Sequence, residues 1–549
     1  MARMSGAEVI IECLKSEGVK YIFGIAGGAT IPLLDVISKT PEIQYISTRH
    51  EQVATHMADG YARYSGKLGV VFTTRAAGAS NTVLGVATAY SSDSPIMVIA
   101  MDPPIEFLGK GDYQEFDLVT LFSPITKFSY RIESVSKIPY IMQKAIRLAY
   151  YGRPGPVFLS IPDNLIREEA DVEVPPRERY IIDAKPAPPI ELIEEAAGML
   201  VKAENPAILA GSEVVVSDAS EELKRLAEEL AIPVVPCFGQ TDVIPSNSIF
   251  FFRDWERFPE IDLLLAVGTD VADVRTWPKI GGETRIIQIE VDAEQIGKVY
   301  PADVSIVADV KKSLNALNNK VTEIMSDRDR ERVRERREKI AKIKEEFLSE
   351  KWPKEEWDVK PIRPWRLIRD LREVLDEDAI IAHDSGSFST SWIRRCMDFY
   401  KPKTCFCCLA GIMGFGLPGA LGLKLAAPEK DVVAVVGDGA FMMVASALST
   451  SVQYKIPITV VINDNSAYMQ IKWRQKPPYL GSDLVNPDFV KFAESFGIPA
   501  RRVTEPEELK DALKWAIEET RKGRTALLDV VTTNDPKYAN PQMYFKHGR

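Results

Sequence analysis

Runs of four or five apolar residues alternate with amphipathic stretches along nearly the whole chain. A run that short and that apolar is a strand buried on both faces. The helix between two such runs returns the chain so that the next strand lies parallel to the last. The pattern predicts an α/β protein, and 549 residues exceed what one ordinary core accommodates, so three doubly wound parallel-sheet domains are expected. The first, residues 1–180, has candidate strands at Tyr21–Gly24, Gly69–Thr73, Ile96–Ala100 and Val157–Ile161. A proline-rich piece, Lys185-Pro-Ala-Pro-Pro, reads as a linker. The second, residues 188–345, has strands at Ala207–Ala210, Ile232–Val235, Leu263–Val267 and Ile286–Ile289, and the charged segment Asp327–Lys351 after them reads as a solvated helix. The third, residues 358–549, has strands at Ala379–Ala382, Val432–Val436, Ile458–Ile462 and Ala526–Val531. The first and third blocks are candidates for two copies of one fold.

The charge balance removes several function classes. The net charge is −10 and no basic tract stands out, since Arg330–Arg337 is interleaved with glutamate; a nucleic-acid partner is not expected. No apolar run approaches the roughly 20 residues of a membrane span. The N-terminus leads straight into an amphipathic helix without the apolar core of a signal peptide, so the expected location is cytoplasmic. Cys405, Cys407 and Cys408 crowd within four residues, yet paired CxxC knuckles and a nearby histidine are missing; they read as buried strand cysteines. Four histidines in all leave little material for a zinc site or a Ser-His-Asp triad.

Chemistry concentrates in Asp431-Val-Val-Ala-Val-Val-Gly-Asp-Gly-Ala-Phe-Met-Met. A buried strand ends at Gly437 and a helix begins within a few residues. Gly437, Gly439 and the following Ala440 let backbone N–H groups approach a phosphate at that helix start. Asp438 supplies a hard oxygen suited to Mg²⁺. The next strand ends in Asn463-Asp-Asn-Ser-Ala-Tyr, and Asn465 lies 27 positions after Asp438, the length of one helix and one returning strand. The expectation is a shared phosphate–metal site with Asp438 and Asn465 at one sheet edge.

This arrangement resembles the signature of thiamine-diphosphate (ThDP) dependent enzymes. The resemblance implies Mg²⁺ held by Asp438, Asn465 and the carbonyl of Ala467, with Tyr468 beside the cofactor. The family usually has Asn-Asn where this chain has Asp464-Asn465, which puts an extra carboxylate next to the ligand. Asp384-Ser-Gly-Ser-Phe is loosely similar to the other diphosphate-contacting loop and nominates Gly386 and Ser387. Arg49-His-Glu followed by Ala58-Asp-Gly-Tyr-Ala-Arg resembles the family's activating-glutamate segment, which makes Glu51 the catalytic acid that helps remove the cofactor's thiazolium proton. His50 and His56 are read as structural. Leu409-Ala-Gly-Ile-Met-Gly-Phe-Gly-Leu-Pro-Gly is similar to the segment that holds the bent cofactor, with the Gly411 carbonyl and the Met413 side chain as contacts. Thr74-Arg-Ala-Ala-Gly-Ala-Ser-Asn matches the substrate-side loop, and with Gly28 it nominates Thr74 and Arg75.

Within the family the chain looks most like the large catalytic subunit of acetolactate synthase, which decarboxylates one 2-oxo acid and joins the remainder to a second. Gly111-Asp-Tyr-Gln-Glu-Phe-Asp carries the matching active-site glutamine, Gln114, and Met469 and Trp473 fall where synthases select substrate. Ile161-Pro-Asp-Asn lacks the lysine of the synthases' Ile-Pro-Lys-Asp. Gly268-Thr-Asp-Val-Ala-Asp-Val-Arg is a poor match to their FAD motif, which leaves FAD doubtful and open. Arg75 replaces a small residue and is read as a contact for a second carboxylate or phosphate, with a salt bridge as the alternative. A simple 2-oxo-acid decarboxylase, a 2-hydroxyacyl-CoA lyase or oxalyl-CoA decarboxylase, and a non-catalytic homologue are the other readings; the joint presence of Glu51, Asp438 and Asn465 opposes the last. The resemblance further implies a homodimer or homotetramer with the active site between subunits.

Overall fold

The computed structural model describes residues 2–182, 184–255, 257–271, 280 and 282–541. Three parallel sheets dominate them. The N-terminal sheet is built from Tyr21–Gly24, Gln44–Ser47, Gly69–Thr73, Ile96–Asp102, Phe128–Arg131 and Val157–Pro162. The C-terminal sheet is built from Ile380–His383, Cys405–Phe406, Val432–Gly437, Thr459–Asp464, Ala500–Val503 and Ala526–Val531. Numbered in chain order, both sheets have the spatial order second, first, third, fourth, sixth, fifth, and every pairing in them is parallel. They are two copies of one topology. The central sheet, from Pro206–Ala210 to Val304–Val307, has five strands in the order second, first, third, fourth, fifth.

The central strands of each sheet are buried along their length, half-exposed Gly437 at the end of its strand excepted, as their unbroken apolar runs require. The strands without an apolar signature lie at or beside the edges. Phe128–Arg131 is half-exposed throughout, and Ala500–Val503 carries Arg501 and Arg502 outward. The chain start differs from expectation: Ala2–Ser5 is a strand paired antiparallel with Glu169–Val172, and the helix follows only at Gly6–Ser16, capped by Ser5 and Glu8. The charged segment is a helix, Asp327–Ser349, but it is not merely solvated. Val333, Ile340 and Phe347, seven residues apart, are buried in the central core. The ammonium of Lys344 on the same face donates to the carbonyls of Ser246 and Phe251.

One apolar core runs through the N- and C-terminal units together, joining Phe23, Ile46 and Met57 to Phe415, Leu421 and Val436. The contact is made by helices Glu51–Ser65 and Gly416–Ala426, each of which follows the second strand of its sheet. They meet backbone to backbone. A β-carbon at Gly422 would stand 2.0 Å from the Met57 carbonyl oxygen, and one at Gly60 2.3 Å from that of Gly419. Cys405, Cys407 and Cys408 are buried free thiols, and among the described residues no His/Cys/Asp/Glu group is arranged to hold a metal by itself. No described helix is long and apolar enough to cross a membrane.

Candidate active site

The loops at the carboxyl ends of the C-terminal strands collect one set of polar groups. Strand Val432–Gly437 stops at Gly437, and Asp438 opens the next helix with its carboxylate accepting from the Gly439 N–H at 2.8 Å. Gly437 pairs in register with Asn463, which sets Asp438 level with Asp464 on the neighbouring strand. Both carboxyls are buried. The Asn486 amide donates to each of them at 2.8 Å, and the Arg502 guanidinium stands 3.7 Å from the other Asp464 oxygen. Burial, with Asp464 alongside, pushes the Asp438 carboxyl up to about 6.

Through Asn486, Asp464 is joined to Asp438. The strand runs to Asp464, and successive strand residues point to opposite faces, so one position decides which side chain enters the site. Asn465 instead turns back and accepts from the Ala467 N–H at 3.2 Å, while Ser466 takes a left-handed backbone, φ +50°. The Tyr468 ring lies on Gly439, where a β-carbon would come within 2.3 Å of it; this close approach explains that glycine. Ala440 is buried in the first turn of the same helix.

The first and second strand-end loops of this sheet are fastened by Asp384. Its carboxylate accepts from the N–H groups of Ser385 at 2.8 Å, Gly414 at 2.8 Å and Gly416 at 3.0 Å. Burial outweighs these bonds and pushes its carboxyl up to about 6. The fastened loop presents Gly411, exposed at φ +72°, and a half-buried Met413. Gly386 and Ser387 lie two and three residues beyond Asp384, at the entrance to a helical turn. Met469 is buried in a small apolar cluster with Ala467 and Ala539, and Trp473 packs against it.

The N-terminal sheet gathers a second set. Glu51 is the first residue of its helix, only 7% exposed, and accepts from the Asn81 amide at 2.9 Å. Gly78 faces the same carboxylate, since a β-carbon there would lie 3.0 Å from its other oxygen. His50 caps the helix, its Nδ1 accepting from the Gln52 N–H. His56 is fully buried edge-on to Phe415, and burial lowers its imidazole to about 3, so the ring is neutral. Thr74 follows strand Gly69–Thr73, and Gly27, next to Gly28, leaves room for its hydroxyl, which a β-carbon would meet at 2.8 Å. Gln114 has φ +56° and its carbonyl accepts from the Ala76 N–H at 3.3 Å. Arg75 is tied within the chain to Asp112 and Asp163.

Asn81, Asp384, Asp464 and Asn486 are the site groups that sequence reading did not assign. Asn81 and Asp384 stood inside quoted motifs without a role, and Asp464 stood beside the residue chosen instead. Asn486 lies 48 residues from Asp438 with no local signal.

The comparisons with known proteins bear on this geometry. Residues 4–121 match the model described as thiamine pyrophosphate enzyme, N-terminal TPP binding domain; residues 193–317 match its central domain, and residues 384–530 its C-terminal TPP binding domain. The chain belongs to the thiamine pyrophosphate enzyme family. It is 37% identical to a probable acetolactate synthase large subunit of Methanocaldococcus jannaschii, over 98% of this chain and 93% of that one. It is 32% identical to an acetolactate synthase large subunit of Lactococcus lactis, over 94% and 91% of the two chains. To the acetolactate synthase isozyme 3 large subunit of Escherichia coli it is 30% identical, over 96% and 95%. The two like sheets are thus the two cofactor-binding units of a ThDP-dependent enzyme, ThDP being thiamine pyrophosphate.

Proposed function

We propose that this enzyme decarboxylates a 2-oxo acid of the pyruvate kind and joins the remaining acyl unit to a second carbonyl, as an acetolactate synthase does, with ThDP and Mg²⁺. The observation that carries the reading is the pair of site halves, Glu51 with Asn81 on one sheet and Asp438 with Asp464 on its topological copy, in a chain whose relatives bear the synthase name. When bound, ThDP supplies the nucleophilic carbon that attacks the substrate carbonyl.

The donor set fits a divalent cation on a diphosphate. Asp438 and Asp464 offer hard oxygens, a carbonyl of the turn through Asn465 and Ala467 completes the protein ligands, and Asn486 stands between the two acids. Gly437, Gly439 and Ala440 open the helix start toward the phosphates. Gly411, Met413, Gly386, Ser387 and Tyr468 are assigned to the cofactor's body. The Glu51 carboxyl, oriented by Asn81, would exchange a proton with the aminopyrimidine ring of the bound cofactor. Gln114, Thr74 and Gly28 line the substrate side. Met469 and Trp473 are assigned to the lid over it.

Within one chain no hydrogen bond or ion pair among the described residues joins Glu51, Thr74 or Gln114 to the 437–440 or 464–469 segments. Met442 and Met443, one turn past Asp438, are 44% and 47% exposed. This exposed apolar pair beside Asp438 supports a dimer, in which each site would take Glu51 from one subunit and Asp438 from the other.

Flavin is not part of the proposal. At the carboxyl edge of the central sheet lies a cavity of about 390 Å³. The loops after its first and third strands are closed on each other, a β-carbon at Gly211 standing 2.0 Å from the Gly268 carbonyl oxygen. Buried Glu213 and Glu290 share this edge with Asp93, and burial followed by their mutual contact raises Glu213 well above the usual carboxylate range. Among the described residues its cations are paired, Arg153 with Asp93 and Lys298 with Asp270. This lining does not fit a dinucleotide diphosphate. Residues 272–275 of the motif compared with the FAD site lie outside the described residues.

Turnover of pyruvate by the purified protein with ThDP and Mg²⁺, read by NMR, tests the proposal. Acetolactate is expected; acetaldehyde as the sole product would replace the synthase reading with a decarboxylase.

A further inference from the structure

The segment that carries Gln114 is an exposed excursion between strand Ile96–Asp102 and the helix at Leu118–Phe122, and its tip is held from outside. Tyr113 and Phe116 on it are 74% and 57% exposed, so burial does not fix its position. Gln114 itself adopts a left-handed backbone that an ordinary residue keeps only when its surroundings impose it. Here Gln114 is the third residue of a turn closed by the Glu115 N–H on the Asp112 carbonyl at 3.0 Å, and Arg75 braces that turn. One guanidinium nitrogen donates to the Tyr113 carbonyl at 2.9 Å and to Asp112 at 3.1 Å, and the other donates to Asp163 at 2.5 Å. Asp163 stands just past the end of strand Val157–Pro162, on the rigid sheet. Alongside, the Ala76 N–H holds the Gln114 carbonyl. The Glu115 carboxylate draws the N–H groups of Gly111 and Asp112 together at 2.9 and 3.0 Å.

We propose that Arg75 is a positioning residue that clamps the Gln114 segment to the sheet through Asp112, the Tyr113 carbonyl and Asp163, and thereby sets where Gln114 stands relative to Glu51. The inference rests on Gln114 belonging to the active site. The path is short: Arg75 precedes helix Ala76–Ser80, Gly78 of that helix faces the Glu51 carboxylate, and Asn81 just after it donates to the same group. The chemistry suits arginine, whose planar fork engages three acceptors at once where a lysine ammonium is a single flexible point charge. It also argues against Arg75 as a substrate-anion contact. Two carboxylates already neutralise the guanidinium, whose side chain is 16% exposed, and an incoming anion would have to displace one of them.

Steady-state kinetics on the full-length holoenzyme, with the 2-oxo acid it turns over, test this in the wild type and in Arg75→Ala, Arg75→Lys, Asp163→Asn and Gln114→Ala. Arg75→Ala is expected to lower kcat roughly 10- to 100-fold, as a displaced positioning group does. KM should stay within about twofold, and Arg75→Lys should recover part of the loss. Asp163→Asn should lower kcat in the same direction, and combining it with Arg75→Ala should add little, because both break one clamp. Asp163→Asn also keeps the test open if Arg75→Ala fails to fold. A rise in KM at unchanged kcat in Arg75→Ala would make Arg75 a substrate contact and overturn the clamp. Full turnover in Arg75→Ala alongside a loss in Gln114→Ala would sink the clamp and leave the Gln114 assignment standing. Full turnover in Gln114→Ala would remove that assignment, and the clamp's purpose with it.

Discussion

The N- and C-terminal sheets share one strand order yet carry opposite chemistry. After the third strand the C-terminal sheet has Gly437-Asp438-Gly439, an acid at a helix start, whereas the N-terminal sheet has Thr74-Arg75, a base before a short helix. After the second strand, one sheet gives the Gly411–Gly414 loop and the other gives Glu51. The helices that follow those second strands pack against each other through Gly60, Gly419 and Gly422, so topologically equivalent elements form the joint. A duplicated scaffold therefore supplies equivalent positions, and a few loop residues give one copy a pair of acids at its strand ends and the other a lone buried glutamate.

The proposed division of labour can be broken at Glu51. Glu51→Gln should bind ThDP with near-native affinity in calorimetry yet lose about 100-fold or more in turnover, the scale of a lost general acid–base group. Retained turnover would end the assignment.

The proposed cation site is sharpened by two neighbours. Asp464→Ala should weaken Mg²⁺-dependent ThDP binding roughly 10- to 100-fold, comparable to Asp438→Ala, while Asn465→Ala should change it by about twofold at most. The reverse ranking in a titration would return the ligand role to Asn465.

The joint between copies is tested by stability. Gly422→Ala puts a methyl group into the Met57 carbonyl and should cost about 1–3 kcal/mol in urea unfolding. Gly198→Ala, in central helix Ile190–Lys202 where nothing lies within 4 Å, should be neutral or stabilising by up to about 1 kcal/mol. Equal effects would show that the joint is not closely packed.

The smallest effect is a pH dependence of the activating helix. Burial pushes Asp59 up to about 6, above its unfolded value of about 3.9. The folded state therefore holds the extra proton between those values, and Asp59's contribution is present at low pH and lost as pH rises through about 6. Asp59→Asn should be more stable than the wild type by on the order of 1 kcal/mol at neutral pH and equal to it near pH 4, in unfolding curves at both.

The sequence by itself determined the central strands of all three sheets, because a fully buried strand must be apolar at every position, as Val432–Val436 and Ile96–Ala100 are. It also determined the strand–Gly-Asp-Gly–helix unit and the Glu51 helix start, whose signals are local. Only the tertiary structure decided the strands at and beside the edges, Gln44–Ser47, Phe128–Arg131, Cys405–Phe406 and Ala500–Val503 among them, which are short or half-exposed and bear no distinctive run. It set the Asp464 carboxylate against Asn486 and turned the Asn465 oxygen onto the Ala467 N–H, since alternating faces make a one-residue difference in strand end a change of side. It decided the partners of Arg75 and Asn486 as well: burial is written in local periodicity, but which charge meets which depends on where distant strand ends converge.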